Sequence, residues 1–354
     1  MQEKQFRNRI SWMMFLLSIL VIWVHSYNAE LFAGGQWGPA WERAAKIQDF
    51  VSVGIGQIAV PGFFMLSAYL FFRTFTFEKL PVKWRNRFFS VVVPYVTWNC
   101  LYYLGYVVAT RLPMVQHVVG KEPIPFQIEE VIRAVVHYAY TPVFWYLFQL
   151  ILLILLSPMI YVAVKNRGVG LIYLAALLAA IHFRLVTAHP NMDALFYYSL
   201  GAYGAVHGRT WLESRGTPDR MAASMLVLAA AVYCYGTMKT EGADVLWTIF
   251  YRTLIPVFLW MILSCMELPN AKPWMRQSMF LYAIHFIIVR FINKGTAMVL
   301  VRFVPEAFWM PVSLVVYFLL PAIIVAVSYL MARILVRFIP PLWRILSGGR
   351  SLES

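Results

Sequence analysis

His25 is the residue in this sequence best placed to move a proton. It lies near the end of the first long apolar run, and at 1.5 Å per residue it is about 22 Å along a helix that begins at Ile10. Ionisable side chains are costly inside a bilayer and commonly mark function there. An imidazole at this depth can act as a general base on a hydroxyl, or it can be an interfacial histidine bound to water or a neighbouring helix. Position alone leaves both interpretations open.

A second set of candidates is basic and lies in the loop 73–87. The loop carries five Lys and Arg against a single acid, Glu78. The guanidinium groups of Arg73, Arg85 and Arg87 present a fixed fork of donors that suits phosphate. The same residues flank apolar runs, where snorkelling and the positive-inside bias are an ordinary explanation. The loop is therefore either a site for a phosphorylated donor or a cytoplasmic anchor.

Six further candidates lie within or at the ends of apolar runs. They are His285, Arg184, Arg252, Arg290, Trp145 and Tyr146. For the four ionisable residues, pairing with backbone carbonyls or polar groups inside a bundle competes with a chemical role. The two aromatic residues begin an apolar run at its outer end, a position typical of interfacial aromatic belts.

Composition places these residues in a membrane. The chain is 61% hydrophobic and 13% charged, whereas soluble domains are about 45–50% apolar and about 25% charged. The net charge of +14 does not indicate nucleic-acid binding, because the basic residues are spread through short loops. The three cysteines lie in apolar runs without metal-ligand spacing, so we expect no disulfide framework and no metal site.

Apolar runs of about 20 residues predict membrane-spanning helices. We expect an all-α polytopic bundle of about ten spans in one integral-membrane domain over residues 1–354. The sixth span is short and contains Gly201 and Gly204. The predicted spans are 10–27, 50–72, 88–110, 143–164, 169–187, 194–208, 221–238, 245–266, 276–293 and 309–332.

The distribution of Lys and Arg predicts the orientation of the bundle. With the N-terminus inside, 19 of them fall on inner segments and 8 on outer ones, which favours cytoplasmic termini. The basic loop 73–87 is then cytoplasmic, and the loop 111–142 is outside. Within the outer loop, apolar residues between Ile128 and Val136 recur at helical spacing, so we expect a helix on the outer membrane face.

Several segments in order along the chain resemble one family. The succession VIWVHS, PGFFMLSAYLFFR, RNRFFSVVVPYVTWN, FWYLFQLILLILLSP, FYYSLGAYG and SMFLYAIHF is similar to the acyltransferase-3 family of bacterial inner-membrane proteins, across nearly the whole chain. The resemblance implies a multi-pass protein of the bacterial inner membrane. It also implies transfer of an acyl group, usually acetyl from acetyl-CoA, to a hydroxyl of a cell-surface or exported glycan. The acyl-CoA is then a co-substrate and not a bound cofactor, and the partners are the bilayer, acyl-CoA and a glycan or glycolipid.

The resemblance also assigns roles to three residues. The family's first-span histidine corresponds to His25, its arginine after the second span to Arg73, and its late histidine to His285. With Arg85 and Arg87, Arg73 is expected to hold the CoA phosphates at the inner rim. The pantetheine arm is expected to rise between the first three helices towards His25, the general base.

One position departs from the family pattern. The family carries an arginine eleven positions before the first-span histidine, where this chain has Met14. Arg9 cannot substitute from the same helix face, because sixteen residues place it about 160° from His25. We expect another span to supply the cation, with Arg252 the first candidate and Arg184 the second.

Two other function classes stay open from the sequence. A transporter or flippase of a glycan or lipid-linked substrate also needs many helices, buried Arg and His, and a basic inner rim. A catalytically inactive relative is favoured by Met14. A thioester-dependent activity separates both from an acyltransferase. The sequence specifies neither the acceptor sugar, nor acetyl against succinyl, nor the oligomeric state.

Overall fold

The protein is helical throughout the part of the chain that is described. The computed structural model describes residues 2–35, 37–113, 122–185 and 187–352, and these contain helices and turns but no strand. Residues 114–121 of the predicted outer loop lie outside the described residues. The α-helices are α1 (Gln2–His25), α2 (Ala29–Ala33), α3 (Pro39–Asp49), α4 (Ala59–Phe72), α5 (Leu80–Arg87), α6 (Val93–Ala109), α7 (Ile128–Val136), α8 (Trp145–Leu155), α9 (Ser157–Val164), α10 (Arg167–His182), α11 (Met192–His207), α12 (Arg209–Glu213), α13 (Pro218–Met238), α14 (Val245–Cys265), α15 (Ser278–Phe303), α16 (Trp309–Phe338) and α17 (Pro340–Ser347).

Most of these helices have the length and composition of membrane spans. Among the described residues, seven helical stretches are long and apolar enough to cross a bilayer, or eight if α8 and α9, bent by 64° at their junction, form one span. Helix α10 is apolar but shorter. The predicted all-helical membrane fold is confirmed, whereas the count of about ten and the cytoplasmic termini remain predictions. The seven stretches are Glu3–Ala33, Pro39–Phe72, Leu80–Ala109, Pro218–Met238, Val245–Cys265, Ser278–Phe303 and Glu306–Phe338.

Two short π-helical segments interrupt these stretches. Phe50–Ile55 leads into α4, and Phe88–Val92 joins α5 to α6. A π turn carries one residue more than an α turn and is frequent at functional sites.

Side-chain caps begin four of the helices. Asn166, Asn191, Thr217 and Asp244 each accept a hydrogen bond from a backbone N–H in the first turn of α10, α11, α13 and α14. Such caps satisfy donors that a helix cannot pair internally. The sequence therefore marks these starts locally.

The chain divides into two compact units. Unit 1 comprises Met1–Val24, Ser52–Trp84 and Gln149–Arg276, and unit 2 comprises His25–Val51, Arg85–Phe148 and Gln277–Ser354. Each unit gathers segments distant in sequence, so residues that meet within a unit come from widely separated runs.

In unit 1, glycine allows two helices to approach closely. A Cβ added at Gly201 on α11 would lie 2.2 Å from the carbonyl oxygen of Met65 on α4. Small residues at such crossings let backbones touch where no hydrophobic effect drives association. The predicted sixth span is thus a continuous helix, α11, and Gly201 allows it to pack closely against α4.

In unit 2, small and aromatic residues build the core between helices α2, α3, α15 and α16. The buried cluster consists of Ala29, Phe32, Ala33, Trp41, Ala44, Ala45, Ala297, Leu300 and Trp309. The amphipathic helix predicted in the outer loop is present as α7, while its position on the outer membrane face remains a prediction.

The fifth predicted span ends earlier than expected. Helix α10 stops at His182, and Arg184 follows with a left-handed φ of 53°. A left-handed residue ends a helix because it cannot continue the intrahelical hydrogen bonds. The placement of Arg184 inside a span was therefore wrong, and its side chain is exposed.

Candidate functional site

Two histidines distant in sequence meet in unit 2. His25 ends helix α1, and His285 lies in the second turn of α15; their ring centroids are 5.3 Å apart. His285 is fully buried, whereas His25 is half-buried. The sequence predicted each of them as a candidate but did not predict that they form a pair.

The hydrogen bonding of His285 fixes its tautomer. Its Nδ1 lies 2.5 Å from the carbonyl oxygen of Tyr282, one turn earlier on the same helix. A carbonyl oxygen only accepts, so Nδ1 carries the proton and Nε2 of the neutral ring carries a lone pair. Among the described residues, no group forms a hydrogen bond with this buried Nε2. The pair thus contains a basic nitrogen that the protein itself leaves unengaged.

Aromatic rings surround the histidine pair. Phe286 packs edge-on against His25 with centroids 5.5 Å apart, and Tyr282 lies 5.6 Å from His285. Tyr146 in turn packs against Tyr282 at 5.7 Å and is only 6% exposed. Tyr146 therefore faces the interior around His285, and its place in an interfacial belt remains untested. Trp145 is 38% exposed.

A buried polar network holds the chain immediately after His25. Gln48 accepts hydrogen bonds from the backbone N–H groups of Asn28 and Ala29, and it donates to the side chains of Asn28 and Ser313. Asn28, Gln48 and Ser313 are at most 1% exposed. Buried polar groups that satisfy one another specify a single arrangement of their elements. The network therefore fixes the end of α1.

The same network reaches the helix that carries His285. Asn293 on α15 donates to the carbonyl oxygen of Ser26, the residue next to His25, and lies within 3.4 Å of Asn28 Nδ2. Both partners of the histidine pair are thus tied to one polar core. The sequence analysis did not identify these residues. The signal that could have found them is the presence of Asn and Gln side chains within otherwise apolar runs.

A groove in unit 2 begins beside the histidine pair. It encloses about 200 Å³ between α6 and α15, and Phe286 forms part of its wall. The Arg290 guanidinium lies 5.3 Å from the Phe286 ring and donates to the Tyr106 hydroxyl. The groove is otherwise lined by Trp98, Leu101, Tyr102, Gly105, Ala109, Ile287, Phe291 and Lys294.

Arg73 lies in unit 1 and is engaged by two carboxylates. Its Nε lies 2.6 Å from Glu213, and its Nη2 lies 2.5 Å from Glu3. The hydrogen bonds that Arg73 donates, to Glu3 first and to Glu213 second, raise the pKa of Arg73 above its ordinary value. A phosphate would have to displace a carboxylate, so Arg73 also has a structural role in bracing the start of α1. Its assignment to CoA phosphates remains a prediction.

The Arg73 cluster adjoins an apolar cavity of unit 1. Tyr69 donates to Glu213 at 2.8 Å and also lines the cavity, which encloses about 320 Å³. Helices α1, α4, α11, α12 and α14 form its walls. The lining comprises Met13, Gly62, Met65, Leu66, Tyr69, Leu200, Gly201, Gly204, Gly208, Trp211, Leu212, Pro256, Val257 and Trp260.

The other predicted cations lie in different surroundings. Arg85 is exposed and Arg87 half-buried, and both belong to unit 2. Arg252 is half-buried in α14 of unit 1 and donates to Gln57. Arg184, exposed beyond the end of α10, is the weaker of the two candidates for the cation missing at Met14.

Comparison with known proteins gives one match. A family model described as an acyltransferase domain matches residues 7–333. Neither the curated proteins nor the solved structures contain a match to the chain.

Proposed function

Because this chain belongs to the acyltransferase-3 family, we propose that it transfers an acyl group from acyl-CoA to a hydroxyl of a cell-surface or exported glycan. The family supports a membrane acyltransferase in general; the catalytic activity, acyl-CoA as the donor, the acetyl group and the glycan acceptor are the proposal. The observation that carries it is the pair of His25 with His285, because His285 Nε2 is a buried base without a partner among the described residues.

The proposed reaction needs one base and no covalent intermediate. His25, the more accessible ring, takes the proton of the acceptor hydroxyl, and the oxygen attacks the thioester carbonyl carbon. The carbon–sulfur bond breaks, and the proton leaves with the CoA thiol. His285 supplies a second basic nitrogen beside His25, with the two ring centroids 5.3 Å apart. Two adjacent imidazolium cations would repel each other, so His25 receives the proton while the His285 ring is neutral.

The groove beside Phe286 supports a route by which the acceptor reaches His25 within unit 2. Its aromatic wall offers stacking surfaces for a sugar ring, and the Arg290 guanidinium supplies hydrogen-bond donors. The groove meets His25 through Phe286. A glycan hydroxyl held there would lie next to the proposed base.

The inactive-relative hypothesis retains a specific basis. Met14 stands where the family has an arginine, and it is half-buried on the helix that ends at His25. An inactive relative would keep the fold and lose transfer, which only an activity measurement distinguishes.

The test is acyl transfer by the purified full-length protein in liposomes. Radiolabelled acetyl-CoA and a mixed bacterial glycan extract are supplied, and label in the glycan fraction is measured. We expect transfer that falls on the order of a hundredfold or more in His25→Ala, while His137→Ala, at an exposed histidine of the outer loop, stays unchanged. Absence of transfer to every glycan offered would contradict the proposal and favour an inactive relative or a transporter.

A further inference from the structure

The C-terminal segment forms a hook beyond the residues that the family model covers. After α17, Gly348 and Gly349 adopt left-handed φ values of 67° and 75°, and the chain turns back to Arg350. The Arg350 carbonyl accepts hydrogen bonds from Trp343 Nε1 and Ser347 Oγ, at 3.0 and 3.2 Å. The hook is therefore an ordered turn with a defined arginine at its tip.

The hook is fixed against the start of α6. An added Cβ at Gly348 would lie 2.5 Å from the carbonyl oxygen of Ser90 and 3.1 Å from Arg350 Nη1. Trp98 Nε1 also donates to the carbonyl of Leu346, the residue two before Gly348. Only glycine permits this approach, because any side chain would displace the hook.

This packing places Arg350 beside the helical stretch that carries Arg87. Arg350 Nη1 and the Ser90 carbonyl oxygen both lie close to Gly348, and Ser90 follows Arg87 by three residues, about one helical turn. Burial first, and then the positive charge of Arg87, lower the pKa of Arg350 to about 10, which leaves it cationic at neutral pH. Two arginines whose charges repel each other favour a bound anion.

The Arg350 guanidinium has capacity for such an anion. Among the described residues it donates to the Ser347 carbonyl at 2.9 Å and forms no ion pair with a carboxylate. Arg73, by contrast, is already engaged by Glu3 and Glu213. Arg350 is thus better prepared to receive a phosphate than Arg73.

A row of aromatic residues connects this pair with the histidines. Tyr146 partly opposes the lowering of the Arg350 pKa, and it packs against Tyr282, which packs against His285. All of these residues belong to unit 2. A donor with its phosphates at Arg350 could therefore extend along this row towards the histidine pair.

We infer that Arg350 joins Arg87 in binding the phosphates of the acyl-CoA donor, an inference that rests on the proposed function. Arginine suits the role because its planar fork matches phosphate geometry. The other source of the same chemistry is the phosphate of an inner-leaflet phospholipid, for which Arg350 would be an anchor only.

The experiment measures CoA affinity of the full-length protein in a neutral detergent by calorimetry. Arg350→Ala is compared with Arg350→Lys and with Arg344→Ala, which removes an exposed arginine of the same C-terminal segment. We expect Arg350→Ala to weaken CoA binding by about tenfold or more, Arg350→Lys to weaken it less, and Arg344→Ala to leave it unchanged. Thermal unfolding of the three variants identifies any general loss of fold.

A second arm separates the two sources of phosphate. The same variants are placed in nanodiscs of zwitterionic lipid with and without an anionic phospholipid, and lipid retention is measured. If Arg350→Ala lowers only the retention of anionic lipid and leaves CoA affinity intact, the lipid anchor is correct and the inference is overturned, while the proposed transferase stands. If the unmodified protein binds no CoA at all, the acyl-CoA donor of the proposed function fails, and the inference fails with it.

Discussion

The Nδ1 atom of His285 lies 2.5 Å from the carbonyl oxygen of Tyr282, and its ring lies 5.3 Å from that of His25. Together these two relationships leave a basic nitrogen in a buried pair whose other ring is accessible. They make His285 a candidate for a role in acyl transfer as well as in packing.

Replacement of His285 tests whether its lone pair is used. His285→Phe keeps an aromatic ring of similar size and removes the base, so transfer should fall on the order of a hundredfold or more while CoA affinity stays near normal. His285→Asn is the companion variant, since its smaller side chain retains polarity. Full activity of His285→Phe in steady-state acetyl-CoA assays would assign His285 to packing alone.

The buried polar network around Gln48 should affect catalysis by fixing the position of His25. Gln48→Leu leaves the buried backbone N–H groups of Asn28 and Ala29 unpaired, at a cost of about 1–3 kcal/mol for each group. We expect a lower melting temperature and a lower kcat at similar KM, because the displaced group is His25 and not a binding residue. Gln5→Leu, at an exposed position, is the control. A Gln48→Leu protein that melts earlier but retains kcat would show that the network stabilises the fold only.

Glu213→Gln distinguishes the two roles of Arg73. The substitution weakens the contact between Arg73 Nε and the Glu213 side chain, which are 2.6 Å apart. If Arg73 binds phosphate, the protein should then bind CoA more tightly. If Arg73 only stabilises the fold, the protein should lose stability without a change in CoA affinity. Equilibrium binding and thermal unfolding are measured on the same preparation. Lower stability with unchanged CoA affinity would remove Arg73 from the donor site.

The ion pair of Arg73 with Glu213 predicts that the stability of the protein depends on pH. Burial alone would raise the pKa of Glu213, but hydrogen bonds from Arg73 and Tyr69 outweigh it and lower that pKa. A lowered carboxylate pKa contributes stability that is present above the unfolded value of about 4.3 and is lost as pH falls through the folded value. Acidification below about pH 4 should therefore destabilise the unmodified protein more than Glu213→Gln, as followed by thermal unfolding across pH.

Gly201→Ala tests the close approach of α11 to α4. The added methyl group would meet the Met65 backbone at 2.2 Å, and overpacking of this kind costs about 1–3 kcal/mol. Gly236→Ala is the matched change, because it adds a methyl group with no atom within 4 Å and removes the flexibility of a helical glycine. We expect a fall in melting temperature for the first and no fall for the second. Equal melting temperatures would mean that the two helices separate readily.

The sequence predicted element types well and spatial neighbours poorly. Apolar runs and helical spacing identified the seven candidate spans and α7, since both are local properties, whereas the count of about ten remains a prediction. The partners of Arg73 could not be predicted, because Glu3 and Glu213 are 70 and 140 residues away. Arg184 was misplaced because hydropathy does not detect a left-handed helix end. The burial of Tyr146 could not be predicted, because an aromatic residue at a span end looks the same whether it faces lipid or protein.

The π-helical segment Phe88–Val92 makes the orientation of α6 tolerant of a change in chain length. Its wide turn accommodates one residue more than an α turn, so loss of a single residue there can be absorbed by a return to α geometry. In a regular α-helix the same loss would rotate everything that follows by about 100°. Tyr95, Trp98 and Tyr102 would therefore keep their partners, and relatives of this protein that differ by one residue between Arg87 and Val93 should share the groove wall.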